Sequence, residues 1–470
     1  MNPPQSRLPN GFTVRLNRRT RFAGAGRELI GGSPTRVLYL SEAASKMIEG
    51  RTAVVTSTGT GLLVDRLLQA AMADPVLESL TEVDTDSVTV VVPVFGRPHA
   101  LARLLKSIGQ AYRVIVVDDC SPDPAAISAV VHEHAAELVC LPRNAGPAQA
   151  RNEGLRRVTT PYVAFADSDV VVAPNTISLL LKHFNDQRVA LVGPRIYGLD
   201  NGIGMNWIER YEEARSSLDL GKHPAPVRPR SPVSWLPGAF LVGRVDALGD
   251  GFRDGSRVGE DVDLVWRLAQ EGWRVRFEPE ARVWHEHRQS LGEWLSRKAF
   301  YGTSAHPLSL QHPEAVAPAV FAPWSAAVMA VLLCQRSWSL PVAGVICAGA
   351  AWRISRKLSR SSRPNRIAIS LTLRAVMGSL TQVMALLVRH WWPVAVGGSL
   401  VSGRLRRALV LSCVADAAWE YCRTRPQLDP LRFALARRID DLAYGTGVWL
   451  GAVKGRSARC LLPDIRRNPN

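Results

Sequence analysis

Three acidic clusters and one histidine are the residues here whose types and spacing can do chemistry: Asp118-Asp119, Asp167-Ser168-Asp169, Glu260-Asp261 and His285. An Asp-x-Asp offers oxygen ligands of the kind that suit Mg2+ or Mn2+. Such an ion neutralises charge developing on a departing diphosphate. The Asp118-Asp119 pair can instead accept hydrogen bonds from a base edge or a ribose hydroxyl. Asp261, beside Glu260, can take a proton from a hydroxyl nucleophile. Each acidic pair also has a plainer use as a turn or a helix cap, because Asp is common at both. Position decides between these uses, so the elements that carry the clusters come next.

Residues 88–94 form a β-branched run of strand length containing Pro93 and Val94; Phe95-Gly96-Arg97-Pro98 turns the chain, and residues 100–108 have helical apolar spacing. A second buried-type strand, 114–117, ends in Asp118-Asp119-Cys120-Ser121. Asn144-Ala145-Gly146 then leads into a helix carrying Arg151, and strand 162–166 ends in Asp167-Ser168-Asp169. Strands alternating with helices imply βαβ units and a parallel sheet. Ligands bind at the carboxyl ends of such strands, where both Asp clusters fall. A helix is expected over 174–184 and a strand over 189–194. Residues 201–232 read as a mobile excursion. Glu260-Asp261 opens a helix, because Leu264, Val265 and Leu268 share one face, and a helix N-terminus stabilises carboxylates. Glu260 can serve as hydrogen-bonding support, and Asp263 as a cap or salt-bridge partner. His285 and His287 alternate along a strand, and His285 is preferred for a metal or diphosphate contact over a structural role. Trp235, before Gly238, can stack on a sugar or acceptor ring or pack in the core.

Taken in order, Pro93-Val94-Phe95, Val117-Asp118-Asp119-Cys120-Ser121, Asn144-Ala145-Gly146 and Asp167-Ser168-Asp169 resemble the inverting family-two glycosyltransferases of the GT-A fold. Gly259-Glu260-Asp261-Val262-Asp263-Leu264-Val265-Trp266-Arg267-Leu268 resembles that family's acidic catalytic motif. Gly272-Trp273-Arg274 and Val283-Trp284-His285-Glu286-His287 resemble its close. The resemblance implies an α/β, Rossmann-like GT-A nucleotide-diphospho-sugar transferase core over residues 87–302. It also implies a metal-dependent hexosyl transfer with Asp261 as the base. Pro93, Val94, Asp118, Asp119, Asn144, Arg151 and Asp167 would then serve the nucleotide-diphosphate sugar donor. Asp167, Asp169 and His285 would hold Mg2+ or Mn2+, and Trp235, Gly238 and Glu260 would lie beside the acceptor. Processive synthases of the family carry Gln-x-x-Arg-Trp after the catalytic Asp. That motif is missing here, so chain extension is expected to be distributive or limited.

The chain has 470 residues and a net charge of +17, room for two or three domains. Residues 351–470 carry 21 Lys and Arg against 6 Asp and Glu. Such basic segments bind nucleic acid or anionic lipid. Lipid is expected as a partner and nucleic acid is not. Residues 315–334 and 337–352 have no charge, and 367–388 has only Arg374. A crossing needs about 20 apolar residues. The first two segments suit a hairpin through the bilayer or a re-entrant one, with a soluble Ala-rich helical domain as the alternative. Arg353, Arg356, Lys357, Arg360, Arg363 and Arg366 suit a cytoplasmic flank, and Trp391-Trp392 an interfacial anchor. Residues 312–470 are therefore expected to be helical and membrane-associated, at the cell membrane with a cytoplasmic catalytic domain. Seven scattered cysteines without a C-x-x-C suit reduced thiols, with Cys120 and Cys140 expected in core elements. The polar, Arg-rich N-terminus shows no signal-peptide pattern.

Residues 1–80 suggest strands at 12–16 and 35–40, a helix capped by Ser41, and a helix at 60–73 whose apolar pattern Asp65 and Arg66 interrupt. This α+β order resembles the winged-helix modules that bind leader peptides in ribosomal peptide maturation; a family-specific cap is the alternative. Residues 74–86 read as a linker. The whole layout resembles the mycofactocin-system glycosyltransferases. That resemblance implies glucose transfer from UDP-glucose to a peptide-derived redox cofactor precursor, building a β-linked oligoglucose chain. A cell-envelope transferase acting on a lipid-linked or cell-wall acceptor is the second reading. A binding scaffold without turnover is a third, and the intact Asp261 beside an intact Asp-x-Asp argues against it.

Overall fold

The computed structural model describes residue 3 and residues 8–199, 204–253, 258–286 and 290–465. The chain separates into two compact units: Met1–Gly204 with Ser216–His287, and Met205–Arg215 with Arg288–Asn470.

The first unit opens with β1 (Thr13–Leu16), β2 (Arg21–Ala23), β3 (Glu28–Gly31), β4 (Arg36–Tyr39), α1 (Glu42–Lys46), β5 (Thr52–Val54), α2 (Thr58–Gln69) and β6 (Ala73–Pro75). Ser41 caps α1, accepting from the backbone N of Ala44. α2 begins behind a Ser57–Thr60 capping box. It ends short of Ala73 because Ala71 takes a left-handed φ of 55°. The expected order of two strands and two helices gives way to two antiparallel sheets, β5-β1-β6 and β2-β3-β4. The added strands are three or four residues long, too short for alternation to show in sequence. Val14, Leu29, Val64, Leu67 and Met72 form this module's core. Asp65, which broke the apolar pattern of α2, pairs with Arg274. Asp74 pairs with Arg276 at 2.8 Å, both nearly buried. These pairs fasten the module to the large sheet.

That sheet is built from β7 (Val88–Val94), α3 (Pro98–Ile108), β8 (Arg113–Asp118), α4 (Pro124–Glu133), β9 (Glu137–Cys140), α5 (Pro147–Leu155) and β10 (Tyr162–Ala166). Then come β11 (Val170–Val172), α6 (Thr176–Lys182), β12 (Val189–Gly198), α7 (Trp207–Arg215), β13 (Ala225–Val227) and β14 (Phe240–Arg244). α8 (Val245–Leu248), α9 (Glu260–Gln270) and β15 (Arg274–His285) complete it. The strand order is β11-β15-β12-β14-β10-β7-β8-β9, with β13 on β15. β7 is buried along its whole length, which is why its run is continuously apolar. The expected parallel sheet is parallel across β10, β7, β8 and β9. β12 and β15 are also parallel to each other, whereas β11 and β13 run antiparallel to β15. β14 departs from the expectation within the sheet, running antiparallel to β10 and β12. Its entry point is the reason: the backbone N of Asp167, just past β10, donates to Ala239 O, so β14 starts at the carboxyl edge and must run back. The expected excursion contains α7 and β13, and residues 201–203 lie outside the described ones. Cys120 and Cys140 are exposed, not in the core. Cys120 lies in a left-handed turn at φ 63°, and Cys140 ends the edge strand β9. All seven cysteines are free.

The second unit joins α7 to α10 (Leu291–Thr303), α11 (Ala305–Gln311), α12 (Pro323–Leu333), α13 (Ser339–Lys357), α14 (Pro364–Ala385), α15 (Trp392–Val401), α16 (Gly403–Thr424) and α17 (Pro430–Lys454). A π-helical turn, Leu386–His390, extends α14. α10 and α17 approach closely: a Cβ on Gly447 would lie 1.8 Å from Ala299 O. Small residues permit such backbone contact. Two buried polar contacts tie its helices together: Tyr211 Oη donates to Asp440 at 3.0 Å and Lys298 pairs with Glu212 at 2.9 Å. Among the described residues one helix, Pro364–His390, is long and apolar enough to cross a membrane by length and composition.

Candidate active site

The carboxyl ends of β7, β8 and β9 are drawn into one rim by two buried carboxylates. Asp118 Oδ1 accepts from the backbone N and the hydroxyl of Ser121. Ser121 Oγ in turn accepts from Gly96 N at 2.7 Å. Asp119 accepts from Ala145 N at 2.7 Å and Gly146 N at 2.8 Å, and its own N donates to Val94 O. Both carboxylates therefore hold backbone. Pro93 and Val94 are buried in the sheet, and the exposed groups of that turn are Phe95 and Arg97. Asn144 stands exposed at the lip.

A single arginine joins the other half. Arg151, on α5 and 2% exposed, donates to Asp167 Oδ1 at 2.6 Å, Gly238 O at 3.2 Å and Glu260 Oε1 at 3.2 Å. Its guanidinium also lies over the Phe252 ring, 5.1 Å from the centroid. Burial works against its charge, but Asp167 and Glu260 overcome that, so it holds its proton more tightly than an ordinary arginine. Burial also raises the Asp167 carboxyl, with Arg151 opposing and Asp169 adding to the rise. The turn after β10, the loop before β14 and the start of α9 thus meet at one cation.

Asp261 sits in the first turn of α9, behind the cap residue Gly259. Its oxygens accept from Gly238 N at 2.9 Å and Val262 N at 2.8 Å. Burial first and the Glu260 charge second push its carboxyl up to about 7. Such a group accepts protons effectively near neutral pH. A Cβ on Gly238 would come within 3.3 Å of Asp261 and 3.4 Å of Arg151, so this glycine permits the close approach. Trp235 is half-buried, and Trp266 Nε1 pins its loop by donating to Ser234 O at 2.7 Å. Asp263 is a salt-bridge partner, 3.5 Å from Arg253, and not the cap.

Asp169 is flanked by a guanidinium and an imidazole. Arg97 Nη1 lies 3.1 Å from Oδ2 and His285 Nε2 3.5 Å from Oδ1. Pairing of β11 with β15 sets His285 opposite Val170, beside Asp169. Among the described residues no three His, Cys, Asp or Glu groups converge as a metal cluster. The donor chemistry of Asp167, Asp169 and His285 nonetheless suits a hard divalent ion. Arginines now hold both carboxylates: Arg151 is fixed by burial, whereas Arg97 is half exposed. His287 lies outside the described residues. The structure thus brings Asp167, Arg151, Gly238, Glu260 and Asp261 together, and Asp169 with His285. Sequence reasoning missed Arg97 and Phe252. Arg97 takes a left-handed φ of 56°, a rare state for a non-glycine residue, and no residue pattern announces it.

A carboxyl raised toward neutrality beside acidic strand ends has the donor set that a group-transfer site needs. The pattern of glycosyl transferase family 2 matches residues 89–248. The chain is 40% identical to the pre-mycofactocin glycosyltransferase of Mycobacterium tuberculosis, across 98% of this chain and 99% of that protein. It belongs to the pre-mycofactocin glycosyltransferases, with a family 2 catalytic domain. The poly-beta-1,6-N-acetyl-D-glucosamine synthase of Staphylococcus aureus is 24% identical over 42% of this chain and 48% of its own length. Among solved structures, a mannosyltransferase from Pyrobaculum calidifontis in complex with GDP-Man and Mn2+ aligns with a TM-score of 0.37 and 20% identity, over 64% of this chain and 89% of that one.

Proposed function

We propose that this chain transfers glucose from UDP-glucose, with inversion, onto a peptide-derived redox cofactor precursor and extends it as a β-linked oligoglucose chain. The observation that carries this reading is Asp261, poised near neutral pH within hydrogen-bonding reach of Gly238 and linked through Glu260 and Arg151 to Asp167. Asp261 accepts the acceptor hydroxyl's proton as that oxygen attacks the anomeric carbon opposite the diphosphate. One displacement inverts the centre. The rim of Asp118, Asp119 and the Phe95 turn holds the nucleotide, with Asn144 at its lip. A divalent ion on Asp167, Asp169 and His285, Mg2+ or Mn2+, would neutralise the leaving diphosphate. Arg151 keeps Asp167 and Glu260 oriented throughout.

The end-to-end match to a pre-mycofactocin glycosyltransferase supports the acceptor. Edge strands β2 and β4, which expose Phe22 and Tyr39, support peptide contact by the N-terminal module, the role expected of a winged-helix-like domain. The apolar helices and basic charge of the second unit support attachment to the cell membrane, with the catalytic unit on the cytoplasmic side. The test is purified full-length protein with UDP-glucose, Mn2+ and the unglycosylated precursor. Mass spectrometry should show hexose addition, and the proton coupling of the new anomeric centre should be that of a β-glucoside. Asp261→Asn should lower turnover about 10²–10⁴-fold. Near-normal turnover in that variant, or an α-linked product, refutes the reading.

A further inference from the structure

Residues 315–415 contain no Asp or Glu and 12 Lys or Arg. Six of the twelve, Arg353, Arg356, Lys357, Arg360, Arg363 and Arg366, lie between the last turns of α13 and the first turn of α14. All six are exposed. α13 and α14 pack against each other as a hairpin, so these cations gather at its tip. The flanks expose Leu340, Val345, Trp352, Ile369, Leu373 and Met377. A surface facing only water normally mixes both signs and avoids such apolar flanks.

An anionic bilayer supplies what this surface lacks: phosphate charge for the tip and an acyl layer for the flanks. Nucleic acid would satisfy the charge but not the apolar side chains. A two-helix crossing is excluded by length. α13 reaches its first charge at Arg353, 14 residues after its start at Ser339, short of the roughly 20 apolar residues a crossing needs. α12 and α15, with 11 and 10 residues, are shorter still. Arg389, at the end of α14, pairs with Asp441 on α17, and α17 packs on α10, so if α14 alone crossed, the six cations would lie on the side of the membrane away from α10 and α17. A positive tip on the far side runs against the positive-inside rule.

We infer that the α13–α14 hairpin is a one-leaflet anchor for anionic lipid, its apolar flanks in the interface and its basic tip at the phosphate level on the cytoplasmic face. This rests on the membrane reading of the second unit and not on the transfer chemistry. The experiment floats the full-length protein with vesicles of phosphatidylcholine and phosphatidylglycerol in equal parts, or of phosphatidylcholine alone. The mixed vesicles should bind it. Replacing Arg353, Arg356, Lys357 and Arg360 together with Gln should weaken that binding by at least about 100-fold, since each cation at an anionic surface contributes roughly fivefold. Arg353→Lys, Arg356→Lys and Arg360→Lys together should retain it, which separates loss of charge from loss of fold. Trypsin outside intact spheroplasts should leave the tip uncut until lysis. Equal binding to both vesicles, undiminished binding by the Gln variant, tighter binding to duplex DNA than to mixed vesicles, or tip cleavage from outside each overturns the inference. A chain that ignores both vesicles yet releases UDP from UDP-glucose overturns the anchor and leaves the transfer chemistry standing.

Discussion

The activity should fall on the acid side of neutrality, and Glu260 should set part of where it falls. Asp261 must be ionised to accept a proton, and the protein pushes it from an ordinary 3.8 up to about 7. kcat/KM reports the free enzyme, so it should fall as pH drops through about 7, reaching about one-tenth of its plateau at pH 6. Two causes raise the carboxyl, burial first and the Glu260 charge second. Glu260→Gln removes only the second, and the amide keeps an oxygen for Arg151, which now donates to Glu260 Oε1 at 3.2 Å. The acid limb should therefore move down, part of the way toward 3.8, and at pH 6 the variant should retain a larger share of its own plateau. The assay is UDP release between pH 5 and 9 at constant ionic strength. A wild-type limb at or below about 5 refutes the role of burial. A limb unmoved or raised in the variant refutes the role of Glu260. The same shift has a sign for stability. A raised carboxyl favours its neutral form in the folded state, so Asp261 costs stability increasingly as pH rises from 3.8, in full above about 7. Asp261→Asn should accordingly not lower Tm at pH 8.

Asp169→Ala should weaken UDP binding in Mn2+ while leaving metal-free binding little changed, measured by calorimetry with and without chelator; an equal fall in both would make Asp169 a structural partner of Arg97. Asp74→Ala strands the Arg276 charge, both side chains being nearly buried, and should cost about 3–5 kcal/mol in denaturant melts, with Asp74→Leu/Arg276→Met recovering much of it. Gly447→Val drives a side chain into Ala299 O and should cost about 1–3 kcal/mol or more, read as lower Tm. An unchanged Tm there would mean α10 and α17 are not held at this approach.

Much of the catalytic sheet is legible in the sequence itself. The runs ending at Val94, Asp118 and Ala166 became strands because each is apolar on both faces and closed by a turn signal, patterns local chemistry writes into the chain. The helix behind Asp261 was legible for the same reason: Leu264, Val265 and Leu268 repeat at its period and are buried. Local pattern could not supply direction. β14 runs antiparallel because its start is tied to the end of β10, a contact between residues far apart in sequence. Nor could it show that Asp65, a break in an apolar helix, answers Arg274, or that Cys120 and Cys140 end outside the core. The proton affinity of Asp261 is the clearest case. Its residue type and place in the helix were visible in sequence, but a carboxyl's pKa is set by what surrounds it. Only the tertiary structure brought Glu260, Arg151 and the Gly238 backbone around that side chain and cut back its contact with water.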